Sequence, residues 1–260
     1  VAAAASIGIS FVDKVQQFVD RVEYRRVENP GQLEDILSLR YEAYIKEGAL
    51  DAHPSGKLED QFDGGTNVRN IGLYLDGRLV SALRLHILYG TQRVSPAMES
   101  FPEWLGPRLD DGKVLLDPNR FVADYRQARS LPELPYATLR LAIMAADYFN
   151  VDLITATVRA EHQAFYRRVV YCHPVCPPRP YPKLTKPIGL MAADFKKDHT
   201  AALRRYPFFG STCEERHRLF GSPLVSRHAF PNMANSALDS ADDTDPHARS
   251  MTRRDAARNR

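Results

Sequence analysis

An apolar run, Lys113-Val-Leu-Leu-Asp117-Pro118-Asn119-Arg120-Phe121-Val-Ala123, reads as a β-strand with a proline near its centre. Proline removes a ladder donor, so such a strand lies at a sheet edge or carries a bulge. Bulges re-aim side chains and gather beside active sites. Asp117 and Arg120 flank this interruption, which makes them a candidate reaction centre. A surface ion pair on an irregular strand is the plainer alternative.

The flanking segments place this strand in a fold. Ile71–Leu75 and Arg78–Leu88 are apolar runs joined by Asp76-Gly77, a strong hairpin signal. Pro135–Phe149 has helical spacing and almost no polar residues, so it is buried on most sides. Val151–Val158 reads as a buried strand, Glu161–Tyr171 as a helix and Ile188–Ala193 as a late strand. Upstream, residues 10–21 read as a short amphipathic helix, Val22–Val27 as a strand and Pro30–Lys46 as a helix opened by proline. A short helix is expected around Met98–Leu105. The order predicts an α/β domain: a mixed central sheet flanked by helices on both faces.

Residues 48–66 are polar and without period, the kind of long loop that is functional or disordered. The expected organisation is a helical segment at 1–21, the α/β domain at 22–195, a charged helical extension at 196–221 and a tail at 222–260. Within that tail, 231–260 hold almost no large apolar side chain, so no packed core is expected there.

Composition narrows the function. The 260 residues are 44% hydrophobic and 26% charged, which suits a packed core. A net charge of +3 does not suggest wholesale nucleic-acid binding, though a local basic patch could dock an acidic partner. Cys172, Cys176 and Cys213 lack framework spacing and read as reduced thiols of a cytoplasmic protein. No apolar stretch is long enough to span a bilayer. There is no phosphate loop, no Gly-x-Gly-x-x-Gly, no Gly-x-Ser-x-Gly elbow and no His-Glu-x-x-His helix, so neither a nucleotide nor a metal is expected.

What remains is charge in unusual places. Arg40 and Tyr44 share a face of the Pro30–Lys46 helix. Asp60 and Asp63 stand in the long loop. Arg84 lies inside an apolar strand, on the face of Ala82 and His86; if buried it needs a carboxylate, with Asp60, Asp63 and Asp117 as candidates. His162 and Tyr166 share a helix face.

Together these residues resemble the N-acyl amino acid synthases of the GCN5-related N-acyltransferase (GNAT) fold and their relatives, the acyl-homoserine-lactone synthases. The lactone-synthase pattern of Arg-x-x-x-aromatic, Asp-x-x-Asp, a hairpin Arg and acid-x-x-Arg-Phe is met in order by Arg40 and Tyr44, Asp60 and Asp63, Arg84, then Asp117, Arg120 and Phe121. The second half, His162-x-x-Phe165-Tyr166-Arg-Arg and Tyr181-Pro-Lys-Leu-Thr-Lys-Pro187-Ile-Gly-Leu, is closer to the N-acyl amino acid synthases.

The resemblance implies an enzyme that moves a medium- or long-chain fatty acyl group from acyl carrier protein to the α-amine of an amino acid. It implies no tightly bound cofactor, only the acyl-phosphopantetheine arm of the carrier. It casts Asp117, Arg120 and Tyr166 as catalytic: Asp117 near the amine, Arg120 and Arg84 orienting Asp117 and the loop acids, Tyr166 protonating the leaving thiolate. Arg40, Tyr44, Asp60, Asp63, Arg84, Phe121 and His162 would line the substrate, with Arg84 or Arg40 able to grip an α-carboxylate. Arg126, Arg129, Arg140, Arg159, Arg167 and Arg168 would dock the acidic carrier. Met98, Phe101 and Trp104 would offer apolar surface to the acyl chain. Any membrane contact would be peripheral, through the product. Where coenzyme A-binding relatives have a glycine-rich pyrophosphate loop, Tyr125 to Pro135 contains no glycine. An S-adenosylmethionine-using lactone synthase and a non-catalytic acyl-binding protein on the same fold are the alternatives.

Overall fold

The computed structural model describes residues 9–221; the tail expected from residue 222 lies outside the described residues. The described chain forms a seven-stranded mixed sheet of order β1-β2-β3-β4-β5-β7-β6. The strands are β1 (Val22–Arg26), β2 (Val68–Leu75), β3 (Arg78–Leu88), β4 (Leu115–Ala123), β5 (Leu153–Val158), β6 (His173–Tyr181) and β7 (Leu184–Asp194). Helices cover both faces, as the alternation of elements predicts. On one face α2 (Pro30–Lys46) sets Ile36 and Leu39 against Ala82 and Val122. On the other, α6 (Leu134–Tyr148) packs on β3 and β4, and its Thr138 hydroxyl donates to Ser81 Oγ at 2.8 Å.

The remaining helices are α1 (Phe11–Val19), α3 (Pro96–Ser100), α4 (Pro102–Asp110), α5 (Tyr125–Ser130), α7 (Gln163–Val170), α8 (Phe195–Arg205) and α9 (Cys213–Phe220). The expected helix around Met98–Leu105 is thus two, restarted by Pro102. The glycine-free stretch after β4 is helical as well. Asp124 caps α5 by accepting from the Arg126 and Gln127 amides at 2.8 and 2.9 Å. Among the described residues no helix is long and apolar enough to cross a membrane.

Two features of β4 shape the centre of the molecule. First, it is a central strand, so Pro118 does not mark an edge; it pairs with Leu85 in register, and a bulge follows just beyond it. Two steps along β3, Ala82 to Arg84, match three along β4, Val122 to Asn119. The extra residue puts Arg120 in the left-handed region at φ 51°. Second, β4 and β5 run parallel but pair only at Leu115–Leu116 with Leu153–Ile154. Beyond those pairs the strands splay and open a cleft through the sheet.

The Pro-rich segment His173–Tyr181, not expected as a strand, is β6. It lies at the sheet edge, the one place where a strand tolerates four prolines. Its hairpin with β7 closes at Tyr181–Leu184 through Pro182 and Lys183, and Lys183 sits at φ 62°. Proline followed by a left-handed residue is a turn that favours glycine second. Lys183→Gly is therefore expected to raise stability by about 0.5–1 kcal/mol, the relief of left-handed strain less the greater freedom of glycine in the unfolded chain. The denaturation midpoint measures it.

Candidate active site

The splayed strands border a cavity of about 1020 Å³, open mouth included. Its β4 wall runs into the bulge: Pro118, Asn119, Arg120 and Phe121. α7 and the turn before it add His162 and Tyr166, and α2 adds Tyr44. The depth is apolar, formed by Leu83, Leu139, Ile143, Ile154 and Val170.

Behind Arg120 lies a buried cluster of charge. Arg40 Nη1 donates to Asp63 Oδ1 at 2.5 Å, and Nη2 to Asn70 Oδ1 at 2.6 Å. Arg84 takes Asp60 with both terminal nitrogens, at 2.5 and 3.1 Å, and its Nη1 lies 2.9 Å from Asp63. Arg120 Nη2 donates to Asp60 Oδ2 at 2.6 Å and to the Pro182 carbonyl at 3.0 Å. The side chains of Asp60 and Asp63 are nearly as buried as those of the three arginines. The alternating pattern of β3 turns Arg84 to the α2 face, where the long loop brings both acids to it. Burial acts to raise the Asp60 pKa, but hydrogen bonds and charge from Arg84, then Arg120, hold its carboxyl well below the usual carboxylate range. Burial lowers the Arg40 guanidinium to about 10 against the pull of Asp63.

The cluster sets three guanidinia against two carboxylates. Only Arg120 among them lines the cavity. Its Nη1 is buried without a hydrogen-bond partner, and the Tyr44 ring centroid lies 5.6 Å from its guanidinium carbon.

Several expectations need correction. Asp117 does not face the cavity, and neither Arg120 nor Arg84 bonds it. It is fully buried toward α3, where Oδ2 accepts from the Ala97 amide at 3.2 Å, and burial raises its pKa. Asp117 lies in the regular part of β4 opposite His86 and Arg120 lies in the bulge, and the two side chains meet different partners. Arg40 and Arg84 are turned to the loop acids and do not line the cavity; the Arg40 Nε, buried without a partner, lies away from it as well, so neither is placed to grip an α-carboxylate there. Arg140 is not a docking residue. It is buried in α6 and donates to the Phe208 and Gly210 carbonyls at 2.9 and 2.6 Å, tying α6 to the C-terminal extension. Met98, Phe101 and Trp104 do not line the cavity; they pack with Leu105, Leu115 and Leu190 in a cluster that reaches the wall residues Tyr181 and Ile188 from behind.

Of the other basic residues, Arg126 and Arg129 are exposed on α5, and Arg167 and Arg168 on α7. Arg159 is mostly covered, at the cavity wall. It meets Glu47 Oε2 at 2.6 Å and His162 Nε2 at 3.0 Å. Lys186 also lines the wall and donates to the Glu47 carbonyl at 3.0 Å. Glu47 carried no sequence signal, and Tyr181 and Lys186 stood only inside the family-like segment with no role of their own; their place arises where the end of α2 meets the β6–β7 hairpin. Cys172 lines the cavity too, but burial pushes its thiol up to about 12, which leaves no thiolate for nucleophilic chemistry. Burial likewise raises the Tyr166 phenol, which stays protonated at neutral pH.

The sequence model of a family described as "N-acyl amino acid synthase FeeM" matches residues 35–194. No curated protein sequence matches the chain. Among solved structures, FeeM, an N-acyl amino acid synthase from uncultured soil microbes, superposes with a TM-score of 0.60 at 16% identity, covering 71% of this chain and 96% of that one. TofI, in a ternary complex with an inhibitor and MTA, gives 0.53 at 17% identity over 73% of this chain and 100% of that one. BjaI, a CoA-dependent acyl-homoserine lactone synthase with SAM and isopentyl-CoA, gives 0.52 at 14% identity over 72% and 89%. The sheet and its helices are thus the GNAT-like acyltransferase fold.

Proposed function

Because the chain belongs to the N-acyl amino acid synthase FeeM family and is an acyltransferase, we propose that it moves a medium- or long-chain fatty acyl group from an acyl carrier protein thioester to the α-amine of a free amino acid. The observation that carries this reading is Arg120: a buried cation in the cavity wall with one nitrogen unpartnered, fronting a cluster with one guanidinium in excess. A planar guanidinium matches a carboxylate. An amino acid's α-carboxylate supplies the missing counter-charge and brings its amine beside the β4 bulge.

The splayed strands accept the pantetheine arm, and the apolar depth takes the acyl chain. Helix α5 stands where a glycine-rich pyrophosphate loop would cradle coenzyme A. Exposed Arg126, Arg129, Arg167 and Arg168 favour an acidic carrier instead. Attack needs a neutral amine, and Glu47 and His162 are wall groups able to take its proton. The amine nitrogen adds to the thioester carbonyl, and the oxyanion collapses with expulsion of the thiolate. The Tyr166 phenol gives the thiolate its proton.

The test offers acyl carrier protein and acyl-coenzyme A thioesters in parallel to the purified protein, with free amino acids and their methyl esters as acceptors. Thiol release and product mass are read. The expected result is N-acyl amino acid from the carrier-bound donor, a rate that falls with added salt, and esters at least about tenfold poorer than acids. Equal rates for ester and acid, or an acyl lactone formed from S-adenosylmethionine, would overturn it.

A further inference from the structure

His86 is buried in β3 between the long loop and β4. Its Nε2 lies 3.1 Å from the Phe62 carbonyl oxygen, and its Nδ1 3.1 Å from Asn119 Nδ2. A carbonyl only accepts and an amide nitrogen only donates. The ring is therefore the neutral tautomer that carries its proton on Nε2.

The Asn119 amide cannot be turned around. Its Oδ1 accepts from Arg84 Nε at 2.6 Å, and its Nδ2 also donates to the Asp117 carbonyl at 2.9 Å. Flipping it would set nitrogen against guanidinium and oxygen against carbonyl. On the far side, Phe62 sits between the two loop acids in a turn tied by its own bonds: Phe62 N to Asp60 Oδ1 at 3.0 Å and Asp60 N to Asp63 Oδ2 at 2.9 Å. Asn119 directly precedes Arg120. One hydrogen-bonded chain thus joins the acid turn to the bulge, and at its end Asp60 meets Arg120.

We propose that Asn119 and His86 are positioning residues for acyl transfer. Asn119 fixes the His86 tautomer, and the ring holds the Asp60–Asp63 turn so that Asp60 aims Arg120 at the acceptor. The role of Arg120 here rests on the reading given under Proposed function; the tautomer lock does not. The charged groups facing the ring are Arg84 on its own strand, Asp60 and Asp63 from the loop and Asp117 across β4. Burial first, then the charge of Arg84, depress the ring to about 3, so it does not titrate between about pH 5 and 8.

Asn119→Asp tests the lock. A carboxylate beside Nδ1 raises the ring's pKa. Below the new midpoint the imidazolium donates both to the introduced carboxylate and to the Phe62 carbonyl, and the turn holds. Above it the single proton moves to Nδ1, facing the introduced carboxylate, and the bond to Phe62 is lost. The acceptor KM is expected to rise about tenfold as pH increases through that midpoint, one hydrogen bond's worth. The wild type should show no such step, and adding His86→Gln should abolish it.

Side-chain ¹H–¹⁵N NMR reads the ring without substrate: Nε2–H throughout in the wild type, a titrating imidazole in the variant. A wild-type ring protonated on Nδ1, or a variant whose ring titrates while its KM profile parallels the wild type, would overturn the proposal. A wrong choice of donor or acceptor shows itself as missing wild-type transfer, and the NMR arm still decides the tautomer. Should Asn119→Asp not fold, His86→Gln and His86→Leu decide. Gln keeps a donor for the Phe62 carbonyl and the wild-type KM, Leu raises KM about tenfold, and equal KM values refute the role.

Discussion

Asp60→Asn is expected to destabilise the protein by about 3–5 kcal/mol, the cost of removing one partner from a buried ion pair. The size follows from what Asp60 holds. Its two oxygens take both terminal nitrogens of Arg84, and Nε and Nη2 of Arg120. With the charge gone, three buried guanidinia share the single carboxylate of Asp63, and their repulsion is unscreened by water. An asparagine also presents an NH2 toward a nitrogen that now lacks an acceptor. Urea denaturation measures the loss.

The sign of the pH effect is fixed as well. Asp60 is held below its ordinary pKa, so its contribution is present above the usual carboxylate range and is lost as pH falls through that range toward the depressed value. Asp60→Asn should flatten that part of the acid limb. Adding Arg84→Met should recover part of the loss, because it removes a cation together with the anion. A single variant within about 1 kcal/mol of wild type would show that the cluster is not held by this carboxylate.

Tyr166→Phe is expected to lower kcat by about 10²–10⁴ and to leave both KM values near wild type, the range for loss of a positioned proton donor. Burial keeps the phenol protonated. Among the described residues its hydroxyl has no hydrogen-bond partner, and it lines the cavity. Phenylalanine keeps the edge contact with Phe165, whose centroid is 5.3 Å away, so stability should change little. The effect should shrink with an aryl thioester, whose thiolate leaves without a proton. Equal loss with alkyl and aryl donors would assign Tyr166 to orientation and not to proton delivery.

Where the chain is regular, these features are legible in the sequence alone. Arg84 is readable because an arginine inside an apolar strand must find a carboxylate, and it finds two of its three candidates. That β4 is irregular is readable from Pro118, although the bulge itself falls two residues on, at Arg120 and Phe121. Sequence reasoning fails where a local irregularity chooses the partner. Asp117 and Arg120 look like a pair in one dimension, but Asp117, in register opposite His86, meets α3, while Arg120 in the bulge meets Asp60. Arg140 has the same signal as Arg84, a charge within an apolar element, and belongs with the buried cations on that ground. Strand β6 is hidden because its prolines read as loop unless its edge position is known. His86 and Asn119 look ordinary, since their meaning lies in the direction of two hydrogen bonds that spacing does not encode.

The same edge strand bears on how the molecule behaves in a crowd. An open β-edge is a template onto which another chain can add, strand by strand, toward aggregates. Pro174, Pro177, Pro178 and Pro180 carry no amide hydrogen, and the register of β6 on β7 slips three times. An incoming strand would meet a broken ladder in place of a continuous one. The prolines that conceal the strand in the sequence also keep the sheet from growing past its last member.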